Sequence, residues 1–323
     1  MYSGGQGINT RPFERSAPGK IILCGEHSVV YGRPAVGVPV STVRSTAWVA
    51  STPSGSGLRI DALDLQQSAL LGDADADDPL ALCARLVLKS LSAQEPDAVL
   101  KVHSDLPIAS GMGSGASVAA AAARALSASL GHELAPSAVS RITHEVEKIH
   151  HGVPSGIDNT VIAWERPVYF VKDSAPQTFA IHTPFKLIVA YSGIASSTKA
   201  AVTAVRRRFE AAEGYYSVLF DCIGAISTAA RDAVEQGAIQ TLGTLLNENH
   251  ELLTKMGVSL AQLDELVVAA RQAGAMGAKL TGSGQGGNII ALVDEETVAP
   301  VRAALEGAGA TRIWEATVGS SDA

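Results

Sequence analysis

The spacing of apolar residues divides the chain into two parts. The first has many predicted strands, and the second has mostly predicted helices. In the first part, short apolar runs predict strands at 20–24, 36–50, 98–103, 160–171 and 179–190. Between them, apolar residues at helical spacing predict helices at 80–93, 114–130 and 137–151. This mixture of strands and embedded helices favours an α+β fold.

From Ser196 onward, helical spacing dominates. Helices are predicted at 197–212, 216–236, 238–255, 259–274 and 297–307, and strands at 288–293 and 311–318. The change in pattern predicts two domains with a boundary near 184–195.

Composition and charge narrow the class of protein. Of 323 residues, 46% are hydrophobic, which is enough to fill the cores of two domains. A formal charge of -7, with Arg206–Arg208 as the densest basic run, argues against a nucleic-acid partner. No apolar stretch is long enough to span a membrane, and the polar residues 1–15 predict a disordered lead rather than a signal peptide. Three widely spaced cysteines without a CxxC pair fit a cytoplasmic protein.

A glycine-rich loop separates the strand at 98–103 from the helix at 114–130. It reads Ala109-Ser110-Gly111-Met112-Gly113-Ser114-Gly115. The glycines permit positive φ and close backbone approach, and the helix N-terminus adds its dipole, so the pattern predicts an anion site for phosphate. A tight strand–helix turn capped by Ser114 is the structural alternative. The loop is not a Walker A motif, because the only Gly-Lys pair, Gly19-Lys20, is followed by Ile21.

Two further segments carry polar groups or glycines beside strands. The run Ala17-Pro18-Gly19-Lys20-Ile21-Ile22-Leu23-Cys24-Gly25-Glu26-His27 puts Lys20 at one end of a strand and two polar residues at the other. Alone, it would be an ordinary strand edge and turn. The segment 277–288 holds five glycines just before a strand, which favours a ligand-binding loop over a flexible hairpin.

Two carboxylates flank a turn after the helix at 137–151. Glu147 lies in the last turns of that helix, and Asp158 follows the turn Pro154-Ser155-Gly156. The turn can bring both into one cleft, where one could ligate Mg²⁺ and the other accept a proton. Taken singly, each could equally be a surface or capping residue. A zinc site at the neighbouring histidines His144, His150 and His151 is not favoured, since HExxH would need histidine where Lys148 stands.

Together the four segments resemble the GHMP kinases in kind and order, from about Ser16 to Val318. Within that superfamily, 17–27 and 154–159 are most similar to the mevalonate kinase branch. The resemblance implies a two-domain α+β GHMP kinase fold. Its N-terminal ribosomal S5-like domain would cover 16–186 and its C-terminal ferredoxin-like domain 187–323, with the active site in the cleft between them.

The resemblance also implies chemistry. It implies transfer of a phosphoryl group from ATP, with Mg²⁺ as cofactor, to the C5 hydroxyl of mevalonate, in an enzyme that is often a homodimer. Asp158 would take the hydroxyl proton, Lys20 would stabilise the reacting group, and Glu147 and Ser114 would hold the metal. The implied ATP-binding positions are Ser104, Ala109, Ser110, Gly111, Met112, Gly113, Ser114 and Gly115. The implied substrate-binding positions are Glu26, His27, Thr198, Gly282 and Ser283.

One departure from the family pattern concerns the metal. The family usually reads Gly-Leu-Gly-Ser-Ser-Ala in the loop, and Gly115 replaces the second serine, whose hydroxyl is the usual Mg²⁺ ligand. Ser114, a water, or greater reliance on Glu147 could compensate. Two other functions remain open: a GHMP kinase for phosphomevalonate, a sugar or homoserine, and a non-catalytic metabolite sensor. Retention of both Lys20 and Asp158 argues against the sensor.

Overall fold

The computed structural model describes residues 12–106, 111–151, 154–196 and 198–319, without the side chains of His150 and His151. Most of the lead predicted at 1–15, and the loop residues Ala109 and Ser110, lie outside these ranges. Among the described residues, no helix is both long enough and apolar enough to cross a bilayer.

The α+β prediction is confirmed, because strands and helices both run through the whole chain. The strands are β1 (Phe13–Cys24), β2 (Ala35–Ser51), β3 (Leu58–Ala62), β4 (Gln67–Leu70), β5 (Ala98–Ser104), β6 (Val168–Phe170), β7 (Gln177–Thr178), β8 (Phe185–Tyr191), β9 (Gly277–Thr281), β10 (Asn288–Val293) and β11 (Arg312–Val318). The helices are α1 (Pro79–Leu91), α2 (Ser114–Ser129), α3 (Pro136–His151), α4 (Ile157–Trp164), α5 (Thr198–Ala211), α6 (Glu213–Gln236), α7 (Ile239–Met256), α8 (Ala261–Gln272) and α9 (Val298–Gly307).

The strands form two sheets. The first has seven strands in the order β4-β3-β5-β2-β6-β7, with β1 paired to β2. The second has four antiparallel strands in the order β11-β8-β10-β9. In chain order the second sheet runs strand, helices, two strands, helix, strand, which is the connectivity of a ferredoxin-like unit.

The three largest apolar clusters among the described residues hold these layers together. One lies between the seven-stranded sheet and α1–α3, where the alanine face of α2 packs closely on the strands. A second lies on the four-stranded sheet, on the face that α8 and α9 cover. The third is shared by the two sheets. It joins Ile21 and Leu23 of β1 to Leu187 of β8 and Ile290 of β10. We call this third cluster the shared core.

The expected domain boundary after residue 186 falls inside β8, the first strand of the second sheet in the chain. The sheets themselves divide between β7 and β8. Since the shared core takes side chains from both sheets, the two halves are packed against each other rather than tethered.

Three sequence predictions need correction. The strand predicted at 160–171 is wrong in its first half, because 157–164 is helix α4. Ile157, Val161 and Ile162 are all buried there, so the helix lacks the polar face that helical spacing would show. Residues 13–15, predicted to belong to a disordered lead, are part of a strand, because Phe13–Arg15 pairs with Ala47–Val49 in β1 and β2. Strands β3, β4, β7 and β9 were not predicted, and the strand predicted at 179–190 begins only at Phe185.

Candidate active site

Lys20 lies in β1, next to an irregularity in the pairing of that strand. The register with β2 shifts between Pro18 and Gly19, and the Lys20 amide donates to the Met112 carbonyl at 3.0 Å. The side chain of Lys20 is only 3% exposed. Its Nζ donates to the carbonyl oxygen of Gly111 at 2.9 Å. The strand and the glycine loop are therefore joined through both backbone and side chain.

Asp158, on α4, forms an ion pair with Lys20. It lies in the first turn of α4, two residues after the N-cap residue Gly156, which has a φ of 94°. Its Oδ2 is 3.1 Å from Lys20 Nζ, and its side chain is 30% exposed. The structure thus brings together the two residues expected to be catalytic, and leaves one of them accessible.

Gly113 is a glycine because of this lysine. Its φ is 74°, and a Cβ there would lie 2.9 Å from Ile162 Cδ1 and 3.1 Å from Lys20 Cγ. Any side chain would therefore push against the lysine stem as well as strain the backbone.

The two glycine loops face each other across the site. Gly111 and Gly282 both have a φ of 88°, and a Cβ on Gly282 would lie 3.7 Å from the Gly111 Cα. Gly282 belongs to the loop between β9 and β10 of the second sheet, whereas Gly111 precedes α2 of the first domain. The backbones of the two loops therefore approach each other closely where the two halves meet.

The other loop residues differ in what they can offer. Met112 is fully buried in the shared core, and its carbonyl accepts the hydrogen bond from the Lys20 amide. Ser104 Oγ lies 2.9 Å from Ser45 Oγ and accepts from the Leu106 amide at 3.2 Å, which anchors the start of the loop. Ser114 and Gly115 are partly exposed in the first turn of α2, where backbone N–H groups lack partners within the helix.

Glu26 and His27 both turn toward the second domain. The Glu26 carboxylate is buried and pairs with the ammonium of Lys279 on β9. His27 Nε2 lies 3.0 Å from the Ser283 carbonyl oxygen, so this nitrogen carries the proton and donates. Burial lowers the pKa of His27 to about 4, which keeps the ring neutral near pH 7.

The remaining predicted site residues lie on α3 and α5. Glu147 is buried near the end of α3, and Thr198 is exposed at the first position of α5. Among the residues that the structure describes, no group of three or more His, Cys, Asp or Glu side chains could hold a metal by itself. His144 Nδ1 lies 3.4 Å from Asn159 Oδ1 in a contact within the domain.

Comparison with known proteins identifies the family of this chain. Residues 80–165 match the N-terminal domain of the GHMP kinases and residues 230–311 their C-terminal domain. The mevalonate kinase of Thermococcus sibiricus is 34% identical over 301 residues, which are 87% of this chain and 89% of the relative. That of Pyrococcus horikoshii is 35% identical over 86% of this chain and 87% of its own length. The chain belongs to the mevalonate kinases.

Solved structures agree with this family assignment. A crystal structure of L. major mevalonate kinase in complex with R-mevalonate has a TM-score of 0.84 and 29% identity, and covers 97% of this chain and 100% of that one. Lactococcus lactis galactokinase complexed with galactose, at 18% identity and a TM-score of 0.79, shares the fold alone. As a mevalonate kinase, the chain is an enzyme with the two-domain GHMP kinase fold, and ATP is its co-substrate.

Sequence reasoning missed two residues that join the domains of this mevalonate kinase. Lys279 is fully buried opposite Glu26, and Thr281 Oγ1 donates to the Ile22 carbonyl at 3.0 Å. Both lie on β9, in a segment that was interpreted as a glycine loop. The available signal was alternation: Lys279 and Thr281 are polar while their neighbours Ala278 and Leu280 are apolar, as in a strand with two environments.

Proposed function

We propose that this enzyme transfers the γ-phosphoryl group of ATP to the C5 hydroxyl of mevalonate, giving 5-phosphomevalonate and ADP. The observation that supports this best is the contact of Lys20 Nζ with Asp158 Oδ2 at 3.1 Å, beside the glycine loop. A carboxylate and an ammonium at this spacing can serve one hydroxyl together, the first as a base and the second as a counter-charge.

The reaction needs one proton transfer and one displacement. Asp158 accepts the proton of the C5 hydroxyl, and the oxygen forms a bond to the γ-phosphorus. The bond from that phosphorus to the bridging oxygen of ATP breaks, and its electron pair leaves with ADP. Lys20 stabilises negative charge on the attacking oxygen and the transferred group. Positioning and charge neutralisation supply most of the rate in such transfers.

The glycine loop is the proposed phosphate site. Backbone N–H groups of Gly111–Gly115, the unpaired amides of the first turn of α2 and the helix dipole all favour an anion there. Ala109 and Ser110 stay in the proposal from the sequence pattern. Ser104 acts on the loop through its hydrogen bond to Leu106 rather than through its exposed surface.

Mg²⁺ fits the oxygen-rich donors of this site. Glu147 and Asp158 offer carboxylates and Ser114 offers a hydroxyl, which are the ligand types that Mg²⁺ prefers together with phosphate oxygens. We propose Glu147 and Ser114 as the residues that hold it. When bound, the metal neutralises phosphate charge during the transfer. Gly115 supplies no side-chain ligand, so the hydroxyl contribution of the loop rests on Ser114.

Mevalonate is proposed to lie between His27 and the start of α5. Because His27 Nε2 donates to Ser283, its Nδ1 carries the lone pair and suits a substrate hydroxyl as donor. Thr198 has an exposed side chain at the N-terminus of α5, and Gly282 with Ser283 forms the opposite wall. Glu26 is next to His27 in the chain and is therefore included in this region, although its carboxylate pairs with Lys279.

A coupled ADP-release assay across mevalonate, phosphomevalonate, galactose and homoserine tests the acceptor. We expect turnover with mevalonate to exceed the others by at least about 100-fold in kcat/KM, since buried polar groups reject substrates that leave them unpaired. Turnover should disappear when the divalent cation is chelated. Equal or greater turnover with another acceptor would replace mevalonate as the substrate, and no ADP release with any acceptor would remove the kinase assignment.

A further inference from the structure

The backbone at His27 is strained. His27 has a φ of 61° and a ψ of -47°, and the Ser28 amide donates to the Glu26 carbonyl at 2.7 Å. This is a three-residue γ-turn of the rare form, which a residue with a side chain adopts only when its surroundings hold it. The turn must therefore be fixed by contacts on both sides of His27.

Local contacts account for part of this restraint. The Ser28 hydroxyl donates to the Gly25 carbonyl at 3.2 Å, and the Val29 amide donates to the same carbonyl at 3.1 Å. These bonds close the turn on itself within the first domain. They leave the direction of the His27 ring to be set by something outside the turn.

The contacts outside the turn come from the second domain. Lys279 on β9 pairs with Glu26, the residue before His27, and the Ser283 carbonyl accepts from the His27 ring at 3.0 Å. The Lys279 side chain is 0% exposed and that of Glu26 is 1% exposed. Lys279 Nζ also donates to the Leu280 carbonyl, at 2.5 Å, so the ammonium is held from its own strand as well.

A buried ion pair of this kind needs a reason beyond stability. Two apolar side chains of similar size would usually stabilise a fold as well or better, because removing both charges from water is costly. The pair instead fixes the position of the Glu26 side chain against β9. It thereby restrains His27, the residue that follows.

We propose that Lys279 is a positioning residue, which through Glu26 holds the strained turn that directs His27 into the mevalonate site. This rests on the proposed function for the identity of the substrate. The proposal predicts separate effects on the two substrates. The mevalonate side of the site depends on the pair, whereas the glycine loop at 111–115 has its own supports and does not.

The test is the double variant Glu26→Met with Lys279→Met, which removes both charges and leaves neither one buried alone. We expect a melting temperature close to that of the unaltered enzyme, a KM for mevalonate at least tenfold higher, and a dissociation constant for ADP within twofold. An unchanged KM for mevalonate in the folded variant would overturn the proposal. Lys186→Met is the matched control, since Lys186 is in the same sheet but pairs with Glu295 at the surface, where the two side chains are 36% and 80% exposed.

An NMR titration of His27 gives a readout that does not need turnover. In the unaltered enzyme, burial holds the ring neutral with a pKa of about 4, and the hydrogen bond to Ser283 opposes this shift only in part. In the double variant we expect the pKa to rise toward the ordinary histidine value of about 6.5, because the relaxed turn exposes the ring. This measurement separates the two proposals: an enzyme that fails to phosphorylate mevalonate would still show the His27 shift if Lys279 positions the turn.

A second variant covers the case in which the double variant does not fold. Glu26→Asp keeps both charges and draws the carboxylate back by one methylene. We expect the same direction of change, a higher KM for mevalonate with unchanged ADP binding. Unchanged mevalonate kinetics in Glu26→Asp would contradict a positioning role.

Discussion

At the scale of single residues, the proposed site depends on the polar contacts of one buried lysine. Lys20 is almost inaccessible, yet its ammonium contacts Asp158 Oδ2 and the Gly111 carbonyl oxygen. Burying an ammonium is costly unless it is paired and hydrogen-bonded. The proposed proton acceptor is therefore also the ion-pair partner of Lys20, and a change at one residue acts on both.

This coupling makes Asp158→Asn the direct test of the proposed base. The amide keeps the size of the side chain but cannot take the hydroxyl proton, so kcat should fall by about 1,000-fold or more. ADP binding should remain within a few-fold, because the phosphate loop is intact. Steady-state kinetics and calorimetry measure the two. Full turnover in this variant would remove Asp158 from the mechanism.

At the scale of elements, α2 carries the departure from the family pattern. Gly115 occupies the first turn of this helix, where a glycine costs about 0.5–1 kcal/mol relative to alanine. A glycine at this helical position lowers the stability of the helix. It also leaves the loop without the hydroxyl that the family pattern has there.

Two substitutions at this position separate the helix from the metal. Gly115→Ala should raise the free energy of unfolding by about 0.5–1 kcal/mol and leave the Mg²⁺ dependence of turnover unchanged. Gly115→Ser should add a hydroxyl and lower the Mg²⁺ concentration for half-maximal rate. Chemical denaturation and a magnesium titration provide the measurements. If the two variants respond to Mg²⁺ alike, the hydroxyl at this position has no part in metal binding.

The elements also show what the sequence could specify and what it could not. Helix α2 and strand β2 were predicted to within about two residues, because strong local signals at their ends agree with their tertiary burial. Helix α4 was not, because it is buried on nearly every side and its apolar run has no period. Lys20, Glu147 and Asp158 could be proposed as site residues from motifs. Their spacing could not, since it depends on how α4 packs against β1, and the Glu26–Lys279 pair joins residues that no local pattern connects.

At the scale of the whole molecule, two buried histidines link stability to pH. His27 lies at the domain junction, and His250 on α7 accepts from the Leu280 amide of β9 at 3.4 Å. Burial lowers the pKa of each to about 4, and the charge of Arg271 adds to the effect at His250. The folded protein therefore binds fewer protons than the unfolded chain between about pH 4 and 6.5.

The free energy of unfolding should consequently fall as the pH is lowered from 6.5 to 4. The loss from each histidine should be at most about 3 kcal/mol, and the contribution should be constant above pH 6.5, where both states are neutral. Denaturant melts across this range give the slope, which His250→Gln should reduce. The same substitution at exposed His182 is the matched control. A slope that is the same in both variants would show that His250 does not contribute.

The shared core has a consequence for how this protein is made. Ile21, Leu23 and Met112 are synthesised in the first half of the chain, but they pack against β8 and β10. Strand β10 begins at Asn288, more than a hundred residues after the seven-stranded sheet is complete. During translation the first domain must therefore leave the ribosome with an apolar face uncovered, and Met112 can reach its final burial only when nearly the whole chain has emerged.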